Sequence, residues 1–234
     1  MSIAVGLVGI DGIVLATDSR VIEESEACKT HHDYAKKLRE LYNSVGIMQV
    51  GGNRGYSRWL IELYQEILND IPEEEKQKIS GISSVARHFS RVVKNDYSFY
   101  AKGVPPSFQN TSGYVIEFVL AGYTSEGEPK LVSLSSAPKE PRFAPCIMNP
   151  YYITGITTVG EYLIGKEKKR LYEGLKMDVL KQIAVRIVLE TAKHDDRVGG
   201  KIQMASITKE DGYIELNSKE IEGIVKTQNN HELP

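Results

Sequence analysis

Ile3-Ala4-Val5-Gly6-Leu7-Val8 contains no polar side chain, and a second apolar run, Ile13-Val14-Leu15-Ala16-Thr17, follows after Asp11-Gly12. Apolar, β-branched runs on either side of an Asp-Gly pair predict a hairpin, because that dipeptide accepts the positive φ values of a tight turn. Without alternation, both faces of the first strand are expected to be covered. Residues 18–35 are polar, lack a period and predict irregular structure. Two short strands are predicted over 38–42 and 45–50, separated by Asn43-Ser44, before Gly51-Gly52-Asn53 breaks the pattern. A helix is predicted over 55–70, with Tyr56, Trp59, Leu60, Leu63 and Ile67 on one face. A second, over 83–100, carries Val85, Phe89, Val92 and Val93.

Strands over 114–123 and 130–135 flank a turn-rich Ser125-Glu126-Gly127-Glu128-Pro129, and a third is predicted over 146–153. A short helix over 157–165 and a longer one over 177–193 follow, the latter striped by Leu180, Ile183, Ala184, Ile187 and Val188. Strands over 202–208 and 213–216 surround Glu210-Asp211-Gly212, and a capped helix is predicted after Asn217. Helices that come in pairs between blocks of strands do not suit a doubly wound parallel sheet. They predict an α+β fold, a four-layer αββα sandwich of two stacked antiparallel sheets flanked by helix pairs. With no repeat and no linker, residues 1–234 are expected to form a single domain.

Charge narrows the function classes. The 29 basic and 31 acidic residues leave a formal net charge of -2, which gives no global attraction to nucleic acid or an anionic membrane. The tyrosines are scattered without a basic stripe, so a nucleic-acid platform is not expected. Lys166, Lys168, Lys169 and Arg170 are interrupted by Glu167 and read as a solvated helix surface. No apolar run approaches the ~20 residues of a bilayer span, and no secretory signal is expected. Two cysteines, Cys28 and Cys146, suit a reducing, cytoplasmic setting. Phosphate-binding glycine loops and a Gly-x-Ser-x-Gly elbow are missing. His31-His32-Asp33 and His194-Asp195-Asp196 could each supply metal ligands, but adjacent residues of an extended chain such as His31 and His32 point to opposite sides, so no catalytic metal is expected.

The informative residues are Ser2-Ile3-Ala4-Val5-Gly6, Ala16-Thr17-Asp18-Ser19-Arg20, Lys36-Lys37-Leu38 and Val50-Gly51-Gly52. Near the far end they are joined by Gly199-Gly200-Lys201-Ile202-Gln203-Met204-Ala205-Ser206-Ile207-Thr208 and Asp211-Gly212-Tyr213. Their order and register, from Ser2 to about Leu216, resemble the β-subunits of the proteasome core and their bacterial relatives. Proteasome α-subunits carry a helical segment before the first strand, so the β-type is expected. The resemblance implies the N-terminal nucleophile (Ntn) hydrolase fold and a catalytic set of Ser2, Asp18, Lys37, Gly51 and Asp195. It also implies a substrate pocket involving Gln49, Asn53, Val21 and Ile22.

The residue types suit that chemistry. Once Met1 is removed, Ser2 offers a hydroxyl and an α-amine whose reference pKa of about 7.7–8.0 makes it a base near neutral pH. Lys37 would lower the cost of deprotonating the hydroxyl, Asp18 would hold Lys37, and Gly51 would give its N–H to the oxyanion. Lys36-Lys37 would ordinarily be a solvated pair, and only the register singles out Lys37. Three positions depart from the family pattern. Ser2 stands for the usual Thr, Gly155-Ile156-Thr157 stands for Gly-Ser-Gly, and Val198 stands for a Ser two positions before Gly200. The expected function is hydrolysis of peptide or unfolded polypeptide within a homo-oligomeric ring, with any ATPase partner unspecified. The alternatives are a non-catalytic ring scaffold and a small-amide Ntn amidohydrolase or acyltransferase.

Overall fold

The computed structural model describes residues 2–24, 29–51, 54–103, 115–136 and 143–230. Strands β1 (Ile3–Val8) and β2 (Ile13–Thr17) form the expected hairpin, with Leu7 opposite Val14. Asp11 in its turn accepts a hydrogen bond from the Met177 N–H at 2.7 Å, which caps the first turn of helix α5 (Met177–His194). β10 (Tyr151–Gly155) adds to the free side of β1, and β11 (Gln203–Thr208) and β12 (Gly212–Glu215) add beyond β2, giving the order β10-β1-β2-β11-β12. A second five-stranded sheet runs β5 (Leu38–Tyr42), β6 (Val45–Gly51), β7 (Ile116–Tyr123), β8 (Pro129–Ser135), β9 (Cys146–Met148). Every pairing in both sheets is antiparallel.

Among the described residues, apolar side chains gather into three cores. Leu15, Leu38, Met48, Val119, Leu131 and Ile207 draw on both sheets. Ile3, Val5, Leu7 and Val14 pack with Leu180, Ala184, Ile187 and Val188 of α5 and with Leu163 of α4 (Thr158–Glu173). Ile47, Phe118 and Leu134 pack with Leu60 and Tyr64 of α1 (Arg54–Asp70) and Phe89 of α3 (Gly81–Gly103). There the Phe89 ring meets Tyr64 and Phe118 edge-on, each at 5.1 Å. β1 therefore divides its side chains between two apolar cores, Ala4 to one and Ile3, Val5 and Leu7 to the other, which is why its sequence does not alternate.

Several elements differ from expectation. Residues 18–35 include a separate two-stranded sheet, β3 (Val21–Glu24) with β4 (Lys29–His32); β4 is largely solvent-exposed and carries no hydrophobic period to betray it. The predicted strand over 146–153 is two strands in different sheets, divided at Asn149-Pro150, where proline has no N–H to continue a ladder. The α1 stripe is rotated: Ser57, Leu60, Ile61, Tyr64 and Leu68 face inward, while Trp59 is 44% exposed and stacks on Tyr56. A small serine and a tyrosine on the buried face disguised it. α4 runs on to Glu173 through its charged segment, where Arg170 pairs with Glu167 at 2.6 Å. A short helix α2 (Glu73–Lys76) was not anticipated, whereas α6 (Ser218–Asn230) starts at the expected cap: Asn217 Oδ1 accepts from the Lys219 and Glu220 N–H groups. Tyr114, Cys28 and Asn53 lie outside the described residues, and Cys146 is an exposed free thiol.

Candidate active site

Ser2 sits at the entry to β1 and is 7% exposed. Its carbonyl accepts from the Ile156 N–H at 2.9 Å, just beyond the pairing of Ile3 with Gly155. Gly155 has φ +91, and a Cβ there would lie 1.9 Å from the Ser2 carbonyl oxygen, so this approach needs glycine. On the other side of β1, the end of β2 grips the next residue. Thr17 Oγ1 donates to the Ile3 carbonyl at 2.6 Å, and the Ile3 N–H donates to Asp18 Oδ1 at 3.2 Å.

Lys37 enters this place from the residue before β5 and is 3% exposed. Its Nζ donates to Ser2 Oγ at 2.7 Å, to Asp18 Oδ1 at 2.9 Å and to the Arg20 carbonyl at 2.5 Å. An ammonium has three N–H donors, so all are committed. Asp18, 1% exposed, also accepts from the Arg20 N–H at 3.0 Å and the Gly199 N–H at 3.2 Å through Oδ2. The Lys37 backbone is pinned as well. Gln203 Oε1 accepts from the N–H groups of Lys37 and Leu38 at 2.9 and 3.1 Å, and the Lys37 carbonyl accepts from the Gln49 N–H at 3.0 Å. Burial pushes the Lys37 pKa below its ordinary value of 10.5, against the opposing pull of the Asp18 charge and hydrogen bond. The Lys37 proton is thus held less tightly than on a surface lysine, 2.7 Å from a hydroxyl oxygen.

Gly51 closes β6 with φ +97, and a Cβ there would come within 2.1 Å of the Val115 carbonyl oxygen. It shares a cavity of about 230 Å³ with Ser2, Val50, Val115, Glu117, Thr154 and Gly155. Gln49 is 5% exposed, and its Oε1 accepts no hydrogen bond among the described residues. Val21 and Ile22 are half-buried at the start of β3, directly after the Arg20 carbonyl that holds Lys37. Asp195 lies at the C-terminal end of α5, where the Arg197 guanidinium takes both its oxygens at 2.9 and 2.6 Å and holds its carboxyl below the usual range. The structure therefore brings together Ser2, Asp18 and Lys37, sets Gly51 on the adjoining cavity, and gives the Asp195 carboxylate to Arg197. Ile156 contributes an N–H where the family pattern has a hydroxyl, and Val198 is fully buried.

Four contributors escaped the sequence reading of roles: the Arg20 carbonyl, the Gly199 N–H, Gln203 and Glu117. Gly199 and Gln203 lie within a quoted motif, yet only the folded chain shows which groups they meet. Arg20 also forks Asp33 at 2.7 and 2.9 Å and crosses to the Asp196 carbonyl at 2.9 Å, tying the hairpin end to the loop after α5.

A family model described as Proteasome subunit matches residues 2–207. The chain belongs to the proteasome subunit family. It is similar to proteasome subunit beta of Methanopyrus kandleri, 22% identical over 221 residues that cover 94% of this chain and 93% of that one. It is similar also to proteasome subunit beta of Methanohalophilus mahii, 25% identical over 233 residues, covering 95% and 93%. Among solved structures, Anbu (ancestral beta-subunit) from Yersinia bercovieri superposes with a TM-score of 0.73 at 14% identity, covering 99% of this chain and 98% of that one. The Anbu complex of Pseudomonas aeruginosa, solved as a helical assembly, gives 0.71 at 16% identity, covering 99% and 97%. The proteasome family thus accounts for the mixed α/β fold with antiparallel sheets. Among the described residues, no helix is long and apolar enough to cross a membrane, and no cluster of His, Cys, Asp and Glu could hold a metal.

Proposed function

We propose that this chain is an Ntn peptidase of the proteasome type, with Ser2 as nucleophile after Met1 is removed. The observation that carries this reading is the buried Lys37 ammonium bridging Ser2 Oγ and Asp18 beside a cavity that Gly51 also lines. The Ser2 hydroxyl attacks a peptide carbonyl and its proton passes to the α-amine, with Lys37 lowering the charge cost. The Gly51 N–H stabilises the oxyanion. The C–N bond breaks as the leaving amine takes that proton, which leaves an ester on Ser2. Water then adds to the ester, and the acid leaves as the Ser2 hydroxyl reforms. No cofactor takes part.

In this reading Gln49, Asn53, Val21 and Ile22 receive the acyl-side residue of the substrate, and the Gln49 oxygen, without a partner among the described residues, favours a polar one. Asp195 is given a supporting role in this reading, with its carboxylate held by Arg197. The four-layer αββα arrangement of one domain, residues 1–234, works in the cytoplasm as a homo-oligomeric ring; the helical assembly of the Pseudomonas aeruginosa relative supports self-association. The test is incubation with an unfolded polypeptide such as reduced, alkylated casein, with products read by mass spectrometry. Peptides that vanish in Ser2→Ala are expected. The substitution of apolar Ile156 and Val198 at positions where the family pattern has hydroxyls favours a second reading, a ring scaffold without chemistry. That reading gives an intact ring in native mass spectrometry and no cleavage.

A further inference from the structure

Among the described residues, Glu117 is the one acidic residue that lines the cavity shared by Ser2 and Gly51. It sits on β7 directly opposite Val50 of β6, and on an antiparallel pair such residues share a face. From there its two oxygens accept from the hydroxyls of Tyr152 and Thr154 on β10, so the carboxylate spans the two sheets. The neighbouring walls are Val50, Val115 and the backbone of Gly51 and Gly155. At about 230 Å³ the cavity is below the roughly 300–1,000 Å³ of drug-sized sites, a scale that suits a single side chain. A small cavity lined by Val50 and Val115 together with one carboxylate suits an aliphatic stem with a cationic tip, because the charge interaction strengthens where apolar walls displace water.

The acyl-side assignment and the strand order together indicate the side of the scissile bond this cavity serves. β1 has β2 on one side, followed by Asp18 and reached by Lys37, and β10 on the other, which supplies Thr154 and Gly155. Successive residues of a strand face opposite ways, so Val50 in the cavity puts Gln49 on the other face of β6. With the acyl side assigned to Gln49, Val21 and Ile22, the Glu117 cavity, on the opposite face of β6 from Gln49, is left for the other side of the scissile bond. We infer that Glu117 is a specificity residue that receives the lysine or arginine immediately following the scissile bond. This rests on the peptidase reading above.

The test is to digest an unfolded polypeptide mixture with the parent protein, Glu117→Gln and Glu117→Asp, and to tabulate the first residue of each new N-terminus. Lys and Arg are expected to exceed Leu and Met by about tenfold in the parent, the scale of a hydrogen-bonded charge contact. The preference should vanish in Glu117→Gln and persist in part in Glu117→Asp, with thermal midpoints confirming that both variants fold. Cleavage without that preference, or with the preference intact in Glu117→Gln, overturns the inference and leaves the peptidase reading standing. Direct binding separates the two further. By NMR titration, 1-aminopentane should bind the parent and not Glu117→Gln, whether or not any peptide is cut. Equal binding of 1-aminopentane and 1-pentanol overturns the cationic site.

Discussion

Lys37 Nζ stands 2.7 Å from Ser2 Oγ and 2.9 Å from Asp18 Oδ1, so a single buried ammonium joins a hydroxyl to its counter-charge. A solvated lysine in this sequence position would be unremarkable. At 3% exposure it is costly unless paired, and the Lys37 contacts with the Asp18 carboxylate and the Arg20 carbonyl provide that pairing.

Replacing Lys37 by Met removes the charge and leaves Asp18, 1% exposed, without its cation. The expected loss is about 10²–10³-fold in acylation, with about 3–5 kcal/mol of stability. Lys37→Arg should not rescue acylation, since a planar fork cannot meet the same three acceptors. The pH dependence has a definite sign. The folded pKa lies below the unfolded 10.5, so between the two values the unfolded chain binds more protons. Parent stability relative to Lys37→Met should therefore rise with pH through the window below 10.5, in urea titrations at stepped pH. A difference that falls over that window would mean the pairing with Asp18 outweighs burial.

Gly51→Ala combines a left-handed backbone, φ +97, with a Cβ 2.1 Å from a carbonyl oxygen. The expected cost is about 2–5 kcal/mol in urea unfolding, together with loss of any activity. Gly165→Ala is the matched control. A Cβ at that α4 glycine meets nothing within 4 Å among the described residues, so the change should stabilise by about 0.5–1 kcal/mol.

Gln203→Leu keeps the size of the side chain and removes the acceptor for the Lys37 and Leu38 N–H groups. Two partly buried donors left unpaired should cost about 2–4 kcal/mol, and looser placement of Lys37 should slow modification of Ser2 about tenfold. Urea unfolding and the rate of labelling by a serine-directed probe read the two effects. Gln203→Glu keeps that acceptor but loses the Nε2 donor to the Ala35 carbonyl, so it should restore the labelling rate more than the stability.

Much of the fold was legible where local signals agreed with their surroundings. The β1–β2 hairpin, β5 through β8, the α5 stripe and the Asn217 cap combine period, turn chemistry and capping, and each lies at or near its expected position. The failures have physical causes. α1 buries Ser57 and leaves Trp59 half-exposed, inverting what hydrophobicity suggests. β9 and β10 read as one strand because a change of sheet leaves no hydrophobic mark. In the site, register singled out Ser2, Asp18, Lys37 and Gly51. Register could not show that Lys37 also leans on the Arg20 carbonyl and Gln203, or that the Asp195 carboxylate turns to Arg197. Glu117 was invisible because a lone acid in an apolar strand gives no spacing to recognise.

The central claim is that Ser2 is a nucleophile once Met1 is gone. Intact mass before and after incubation with a peptide vinyl sulfone or β-lactone tests it most directly. The account predicts a parent mass lacking Met1, then one covalent adduct per chain that maps to Ser2 and is absent from Ser2→Ala. Retention of Met1 with no adduct, or an adduct that survives Ser2→Ala, would contradict it.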